Sequence, residues 1–358
     1  MKILFAINSN GLGHATRCYP LINETIKKGH KVYILSNFRA LEFLKNEFKE
    51  KANYIKLPDY SFQKKIFTEK NVSIAKFVMY LPLYIKEFRD EHKKFIKIHN
   101  QEKFDLIISD TRFGIYSNNI PSYLICHHIK VSLNGVLKST EKITELTFYA
   151  LKTKFKKILI PDFEKNSLAG EYTHNFNYLT KKDVKYLGIL SMLRKKNLNE
   201  DIDYFFSISG PEPQRTVFQK VILSNIHKLK TKKIVIALGK PESNYYKKIK
   251  NIEIFGYLNR EKQQEIMNRS KLIITRSGYT TLMDLAELGK KALLVPTKGQ
   301  PEQEYLAKYH LKQGNFYYKD LDDLKLEKDL AIAEKFPGFK TTKKTKDSIK
   351  AFFNEIKI

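Results

Sequence analysis

Two stretches far apart in this chain repeat one local pattern, and that pattern narrows the fold more than any other feature. Near the N-terminus, MKILFAINSNGLGHATR (Met1–Arg17) reads as an apolar strand, a glycine loop and the start of a helix. In the second half, KLIITRSGYTTLMDLAE (Lys271–Glu287) repeats the pattern with a Ser-Gly loop. A strand that turns through such a loop into a helix aims backbone N–H groups and the positive end of the helix dipole at one point, which suits an anion. One such unit in each half predicts an α/β protein of two Rossmann-like, doubly wound domains facing each other across a cleft.

The rest of the pattern agrees. Apolar runs predict strands at Lys2–Ile7, Lys31–Ser36, Tyr54–Leu57, Phe104–Ser109, Ser122–Cys126 and Ile158–Ile160. A second series falls at Asp203–Ile208, Lys233–Leu238, Ile252–Phe255, Leu272–Thr275 and Ala292–Val295. Helical spacing covers Ala15–Lys28, Val217–Lys228 and Glu261–Asn268. The polar stretch within Gly188–Glu200 reads as a linker. We therefore expect domains over 1–190 and 191–340, with a helix in 341–358 packing back on the first domain. Residues Ile74–Ile98 read as one or two helices, broken or kinked near Pro82. Their aromatic and aliphatic residues, Phe77 to Phe88, are interleaved with lysines. That mixture fits a core helix with a wet face, or a surface for anionic lipid.

Charge excludes one function class. The net charge of +27 divides almost evenly, +14 over 1–190 and +13 over 191–358. A dedicated nucleic-acid module would concentrate it on one arm or stripe, so no nucleic-acid partner is expected. Solvated lysines account for most of the charge, with an anionic membrane surface as the second reading. The two cysteines, Cys18 and Cys126, form neither a disulfide framework nor a metal spacing. The chain has no run of about 18 apolar residues and no signal-peptide pattern, so a cytoplasmic setting is expected.

The candidate chemistry sits in the loops. Gly11 and Gly13 allow close approach of a ligand, and His14 follows at the first helical turn, where a neutral imidazole can take a proton from a hydroxyl. Asp110, His127 and His128 fall at strand C-termini, where open α/β sheets place their ligands. Ser209-Gly210-Pro-Glu-Pro-Gln-Arg215 is a rigid turn ending in a guanidinium suited to a diphosphate. Arg276, Ser277, Gly278 and Thr281 suit phosphate oxygens, Asp284 suits ribose hydroxyls, and Glu302 with Gln303 suits sugar hydroxyls. Arg17, Arg112, Arg215 and Arg276 are four of only nine arginines, and all lie in or beside these loops.

Together these residues resemble the GT-B glycosyltransferases, and among them the glycosyltransferase family 28 group that includes lipid II N-acetylglucosaminyltransferases. In that family a Ser-Gly-x-x-Thr-x-x-Glu helix start holds the nucleotide. Ser277, Gly278 and Thr281 match it, and Asp284 stands where the family has Glu. The family's acidic-Gln pair at the donor sugar resembles Glu302-Gln303, and its glycine-loop histidine resembles His14. Its Gly-Gly-Ser loop is replaced by Ser209-Gly210-Pro-Glu-Pro. The resemblance implies an inverting transfer of a hexosyl group from a UDP-sugar to an unidentified acceptor hydroxyl; with the Gly-Gly-Ser loop replaced, the lipid II enzyme's own sugar and acceptor are not carried over, and N-acetylglucosaminyl and a lipid-linked or cell-envelope acceptor stand only among the candidates. His14 would be the base, Gly11, Gly13, Arg17, Asp110, His127 and His128 would face the acceptor, and neither cofactor nor metal would be needed. It also implies a peripheral place on the inner face of a membrane. A UDP-sugar 2-epimerase and a non-catalytic binding subunit of the same shape are the alternatives.

Overall fold

In a computed structural model, residues 1–60, 74–130, 138–229 and 231–358 are described, with the side chains of 74–81 and 138–140 outside that description. The chain divides into two units, Met1–Met192 with Lys343–Ile358, and Leu193–Thr342.

The first unit is built on a seven-stranded sheet among the described residues. Its strands are β1 (Lys2–Ile7), β2 (Lys31–Ser36), β3 (Asn53–Lys56), β4 (Leu106–Asp110), β5 (Ser122–Ile125), β6 (Lys157–Ile160) and β7 (Val184–Tyr186). All pair in parallel, in the order β3-β2-β1-β4-β5-β6-β7. The helices are α1 (Gly13–Lys27), α2 (Phe38–Phe48), α3 (Ile74–Glu102) and α4 (Lys138–Leu151). Ile3 to Ile7 and the whole of β4 and β5 are buried, which is why their sequences are unbroken apolar runs rather than alternating ones. Leu4, Ala6, Tyr33, Leu35, Phe95, Phe104 and Ile107 form one core cluster on this sheet.

Chain order reverses direction between β1 and β4. Open α/β sheets offer a ligand crevice at the strand C-termini beside such a switch point. In this unit that place is occupied by the glycine loop after β1 and by Asp110 at the end of β4.

Helix α3 runs as one element through Pro82, one of the two forms expected for this stretch, without the break. The proline is exposed, so its ring lies on the wet side of a long helix whose other face is anchored. Of the stretch expected to touch lipid, Phe77 to Leu81 fall outside the described side chains. Tyr84 is buried, and Phe88 packs against Tyr60 and Phe113 at ring distances of 4.9 and 5.3 Å. These two rings serve the core.

The second unit repeats the plan. Its elements are β8 (Ile202–Ser207), α5 (Gln214–Asn225), β9 (Ile234–Ala237), β10 (Tyr246–Ile249), β11 (Ile252–Phe255), α6 (Arg260–Arg269), β12 (Ser270–Thr275), α7 (Tyr279–Leu288), β13 (Lys291–Leu294), α8 (Pro301–Lys312), β14 (Tyr317–Tyr318) and α9 (Leu326–Ala333). The sheet order is β10-β11-β9-β8-β12-β13-β14, parallel except for β10 on β11. Phe206, Ile208, Phe218, Ile236, Ile274, Leu293 and Leu330 belong to its core. The switch point lies between β8 and β12, so Ser209-Gly210 and Arg276-Ser277-Gly278 leave the sheet side by side.

The final helix, α10 (Thr345–Ile356), belongs to the first unit although it follows the second in sequence. The Thr345 hydroxyl accepts from the Ser191 amide at 3.0 Å, the Lys28 ammonium lies 4.7 Å from the Phe353 ring centre, and Lys157 pairs with Glu355 at 3.2 Å.

Candidate active site

In the first unit, a buried ion network stands at the switch point. Arg17, on the second turn of α1, is 1 % exposed, and so is the side chain of Asp110. Arg17 Nε donates to Asp110 Oδ2 at 2.6 Å, Nη2 donates to Asp110 Oδ1, and Nη1 lies 2.6 Å from His127 Nδ1. His14 Nδ1 lies 2.8 Å from Asp110 Oδ1, and the Cys18 thiol donates to Oδ2 at 3.1 Å. Burial alone would push the Asp110 carboxyl up, but the Arg17 guanidinium and the His14 imidazole outweigh it and hold it well below the usual carboxylate range. Asp110 is therefore an anion that accepts from every partner. The same His14 nitrogen lies 2.9 Å from Arg17 Nη2 and 3.3 Å from Thr111 Oγ1. Burial pushes the Cys126 thiol up to about 12, and the Cys18 thiol is also raised, so neither is a ready nucleophile.

A second network holds the glycine loop. Arg112, fully buried, donates from Nε to Glu91 at 2.6 Å, from Nη1 to Asp59 at 2.6 Å, and to the carbonyls of Leu57 and Pro58 at 3.2 and 3.0 Å. Asp59 in turn accepts from the Ser9 amide at 3.2 Å and from its hydroxyl. Arg112 thus ties the loop after β3 to the loop after β1, a structural role. Gly11, at φ +82°, would place a Cβ in open space, so the loop's outer side is clear.

In the second unit, Gly278 stands at the N-cap of α7 with no side-chain capping bond, and a Cβ there would meet only Thr281 Oγ1 at 3.9 Å. The Ser277 hydroxyl donates to the Gln303 carbonyl at 2.7 Å, and Gln303 Oε1 accepts from the Thr297 amide at 2.9 Å. These bonds lock the loop after β13 against the start of α7. Asp284 and Glu302 are half-buried, on α7 and in the first turn of α8.

The two arginines expected to grip a diphosphate are otherwise engaged. Arg215 gives Nε and Nη2 to Glu212 at 2.9 and 2.6 Å and Nη1 to the Gly239 carbonyl at 2.6 Å. Arg276 gives its N–H groups to the carbonyls of Val295, Pro296, Gln214 and Ser209 at 3.1, 2.9, 3.1 and 3.5 Å, with its guanidinium 4.3 Å from the Phe218 ring centre. With no carboxylate to offset it, burial lowers the Arg276 pKa to about 10. Its charge lies behind the loops rather than on their surface.

One residue of this region was not anticipated. Thr297 is 1 % exposed, and its hydroxyl has no hydrogen-bond partner among the described residues. It lies 3.8 Å from where a Gly210 Cβ would stand. A lone threonine after a strand carries no sequence signal of this.

Residues 213–357 match the glycosyltransferase family 28 C-terminal domain, and residues 1–175 match the glycosyl transferase family 1 model. Each half of the chain thus matches a glycosyltransferase model, the second half resembles the family 28 group, and the two-sheet α/β fold is that of the GT-B glycosyltransferases. This glycosyltransferase is 24 % identical over 322 residues to an uncharacterised glycosyltransferase of Methanosarcina acetivorans, across 85 % of this chain and 82 % of that one. It is 30 % identical over 150 residues to the UDP-N-acetylglucosamine–N-acetylmuramyl-(pentapeptide) pyrophosphoryl-undecaprenol N-acetylglucosamine transferase of Finegoldia magna, a match covering 39 % of this chain and 38 % of that one. Among solved structures, the glycosyltransferase of kitacinnamycin superposes with a TM-score of 0.63 at 11 % identity, over 99 % of this chain and 94 % of that one. These matches favour transfer over the epimerase and binding-subunit alternatives. No helix among the described residues is long and apolar enough to cross a membrane.

Proposed function

We propose that this glycosyltransferase moves a hexosyl group from a UDP-sugar to an acceptor hydroxyl with inversion, using His14 as the general base. The observation that carries this reading is the contact between His14 Nδ1 and the buried Asp110 carboxylate, 2.8 Å long. It leaves Nε2 as the proton acceptor and gives the imidazolium that forms a fixed counter-charge. The acceptor oxygen bonds to the anomeric carbon as the bond from that carbon to the diphosphate breaks. The acceptor's proton passes to His14 Nε2, and the electron pair leaves with UDP. The N–H groups at Ser277–Tyr279 and the α7 dipole meet the charge that grows on the diphosphate. Arg276 adds a positive potential from behind the loop. Gly11, Gly13, His127 and His128 are assigned to the acceptor, Ser209 and Gly210 to the diphosphate, Thr281 and Asp284 to the nucleoside, and Glu302 and Gln303 to the sugar. Neither metal nor cofactor takes part in this reading.

The partial match to the Finegoldia magna transferase supports UDP-N-acetylglucosamine as the first donor to try and a lipid-linked acceptor as the first class to screen. Such an acceptor would place the enzyme at the inner face of a membrane, where its net charge of +27 favours anionic lipid. A thermal-shift panel of UDP, TDP, GDP, ADP and their sugar conjugates tests the donor. A ligand of the folded state raises the melting temperature in proportion to RT ln(1 + [L]/Kd). Selective stabilisation by uridine nucleotides is expected. Selective stabilisation by another base, or by none, overturns the UDP assignment.

A further inference from the structure

The second unit holds a buried cation and a buried hydroxyl that the chain itself leaves short of partners. Arg276 is 3 % exposed, its hydrogen bonds go to four backbone carbonyls, and among the described residues no carboxylate pairs with it. A guanidinium at that depth is ordinarily matched by an anion. Its bonds to Val295, Pro296 and Gln214 measure 2.9 to 3.1 Å, whereas Nε reaches the Ser209 carbonyl only at 3.5 Å, the limit of a hydrogen bond. Thr297 is 1 % exposed, and its hydroxyl has no partner among the described residues, a cost that buried hydroxyls normally avoid. The two groups meet at Gly210. A Cβ there would stand 3.8 Å from Thr297 Oγ1 and 4.0 Å from Arg276 Nε. Gly210 is exposed, at φ +119°, in the bend that joins β8 to α5. A hydroxyl and an Nε–H, both short of an acceptor, therefore lie under one bend beside the start of α7.

We propose that Thr297 Oγ1 and Arg276 Nε form a seat for an anionic phosphate oxygen beneath the Ser209–Gly210 bend. That the phosphate belongs to a sugar nucleotide rests on the reading above; the seat itself requires only the anion, whatever the base. With the bend in its present place the hydroxyl is shut off from bulk water, so the anion enters as the bend moves outward. Arg276 Nε then exchanges its long bond to the Ser209 carbonyl for a charge-assisted one, and Thr297 gains the acceptor it lacks. The exchange favours the bound state, because the unliganded chain gives up little hydrogen bonding at this point. Thr297 is itself held in place, since its amide donates to Gln303 Oε1 at 2.9 Å. Glycine at 210 suits the movement, for no side chain stands between the bend and the two donors.

The test compares the full chain with Thr297→Val, which removes the hydroxyl and keeps the branched shape, and with Thr297→Ser, which keeps the hydroxyl. Melting temperatures are read without ligand, with inorganic pyrophosphate and with UDP, at constant ionic strength. Without ligand, Thr297→Val should melt about 2–4 °C above wild type, because it removes an unpartnered buried hydroxyl. Calorimetric titration then uses whichever of the two ligands stabilises the wild type. Its Kd should be weaker by about 10-fold or more in Thr297→Val, the scale of a hydrogen bond to a charged group, and near the wild-type value in Thr297→Ser. Diffuse attraction of anions to a chain of net charge +27 would act on all three proteins alike. A Thr297→Val protein that melts no higher than wild type overturns the proposal, since the hydroxyl then has a partner in the unliganded chain. So does a wild type stabilised by neither pyrophosphate nor UDP, or a Kd that is the same in Thr297→Val as in wild type, or one that falls as far in Thr297→Ser. Stabilisation by pyrophosphate but not by UDP keeps the seat and overturns only the uridine assignment.

Discussion

Asp110 accepts from Arg17, His14 and Cys18 while almost fully buried, so its charge belongs to the energetics of the fold as well as to the site. Its folded pKa lies below the unfolded value of about 3.9. Its contribution to stability is therefore complete above that value and is lost as pH falls through the folded pKa. Asp110→Asn leaves Arg17 as a buried cation without a counter-charge, and breaking a buried pair in this way costs about 3–5 kcal/mol. We expect urea unfolding at pH 7 to report a loss of that size, and the difference from wild type to shrink in acid. His14 is the opposite case. Its side chain is 19 % exposed, and its alanine variant should stay folded. With the donor selected by the thermal-shift panel, His14→Ala should lower kcat by about 10²–10⁴-fold, the span of general base catalysis, and leave the UDP Kd unchanged. Unchanged turnover would remove His14 from the base role.

Helix α7 carries the clearest separation of binding from stability. Gly278 has φ −67°, which any residue adopts, and a Cβ there meets nothing closer than 3.9 Å. Gly278→Ala should therefore change stability by less than about 0.5 kcal/mol, as substitutions away from packed features do. If the diphosphate sits at this helix N-terminus as proposed, the added methyl crowds it, and calorimetric titration should show weaker UDP binding. The same helix shows what the sequence discloses. Strands β1, β4 and β5 were legible because burial on both faces writes a near-continuous apolar run, and β1, β8 and β12 because a glycine or Ser-Gly turn follows them. Strand β10, Tyr246–Ile249, was not legible, since all four residues are exposed and the strand pairs only at the sheet edge. Helix α2 was missed although Asn37, a residue type that favours helix starts, stands at its N-cap. Within the site, His14, Asp110 and His127 could each be picked out by their place after a strand. That one arginine joins all three could not, because their sequence spacing reaches 110 residues. Nor could the capture of Arg276 by four carbonyls, since every residue has one.

Over the whole molecule, the joins between the units are structured on the side of the first unit. Gly188, at φ +93°, would drive a Cβ to 2.6 Å from Ser348 Oγ and 3.3 Å from the Phe163 ring. Gly188→Ala should cost more than about 1 kcal/mol through strain and crowding together, measured as a lowered melting temperature. If instead the substitution leaves the melting temperature unchanged, α10 is not seated on the 188–192 segment as the Ser191–Thr345 bond indicates. The return of α10 to the first unit also sets an order of events during synthesis. Ribosomes add about 5–20 residues per second, and domains fold as they emerge. Residues 193–342 are made before 343–358, so the second unit has its whole sequence available while the first still lacks its closing helix. For on the order of ten seconds at that rate, the first unit waits with the docking surface of α10 uncovered. The half that is begun first is the half that is finished last.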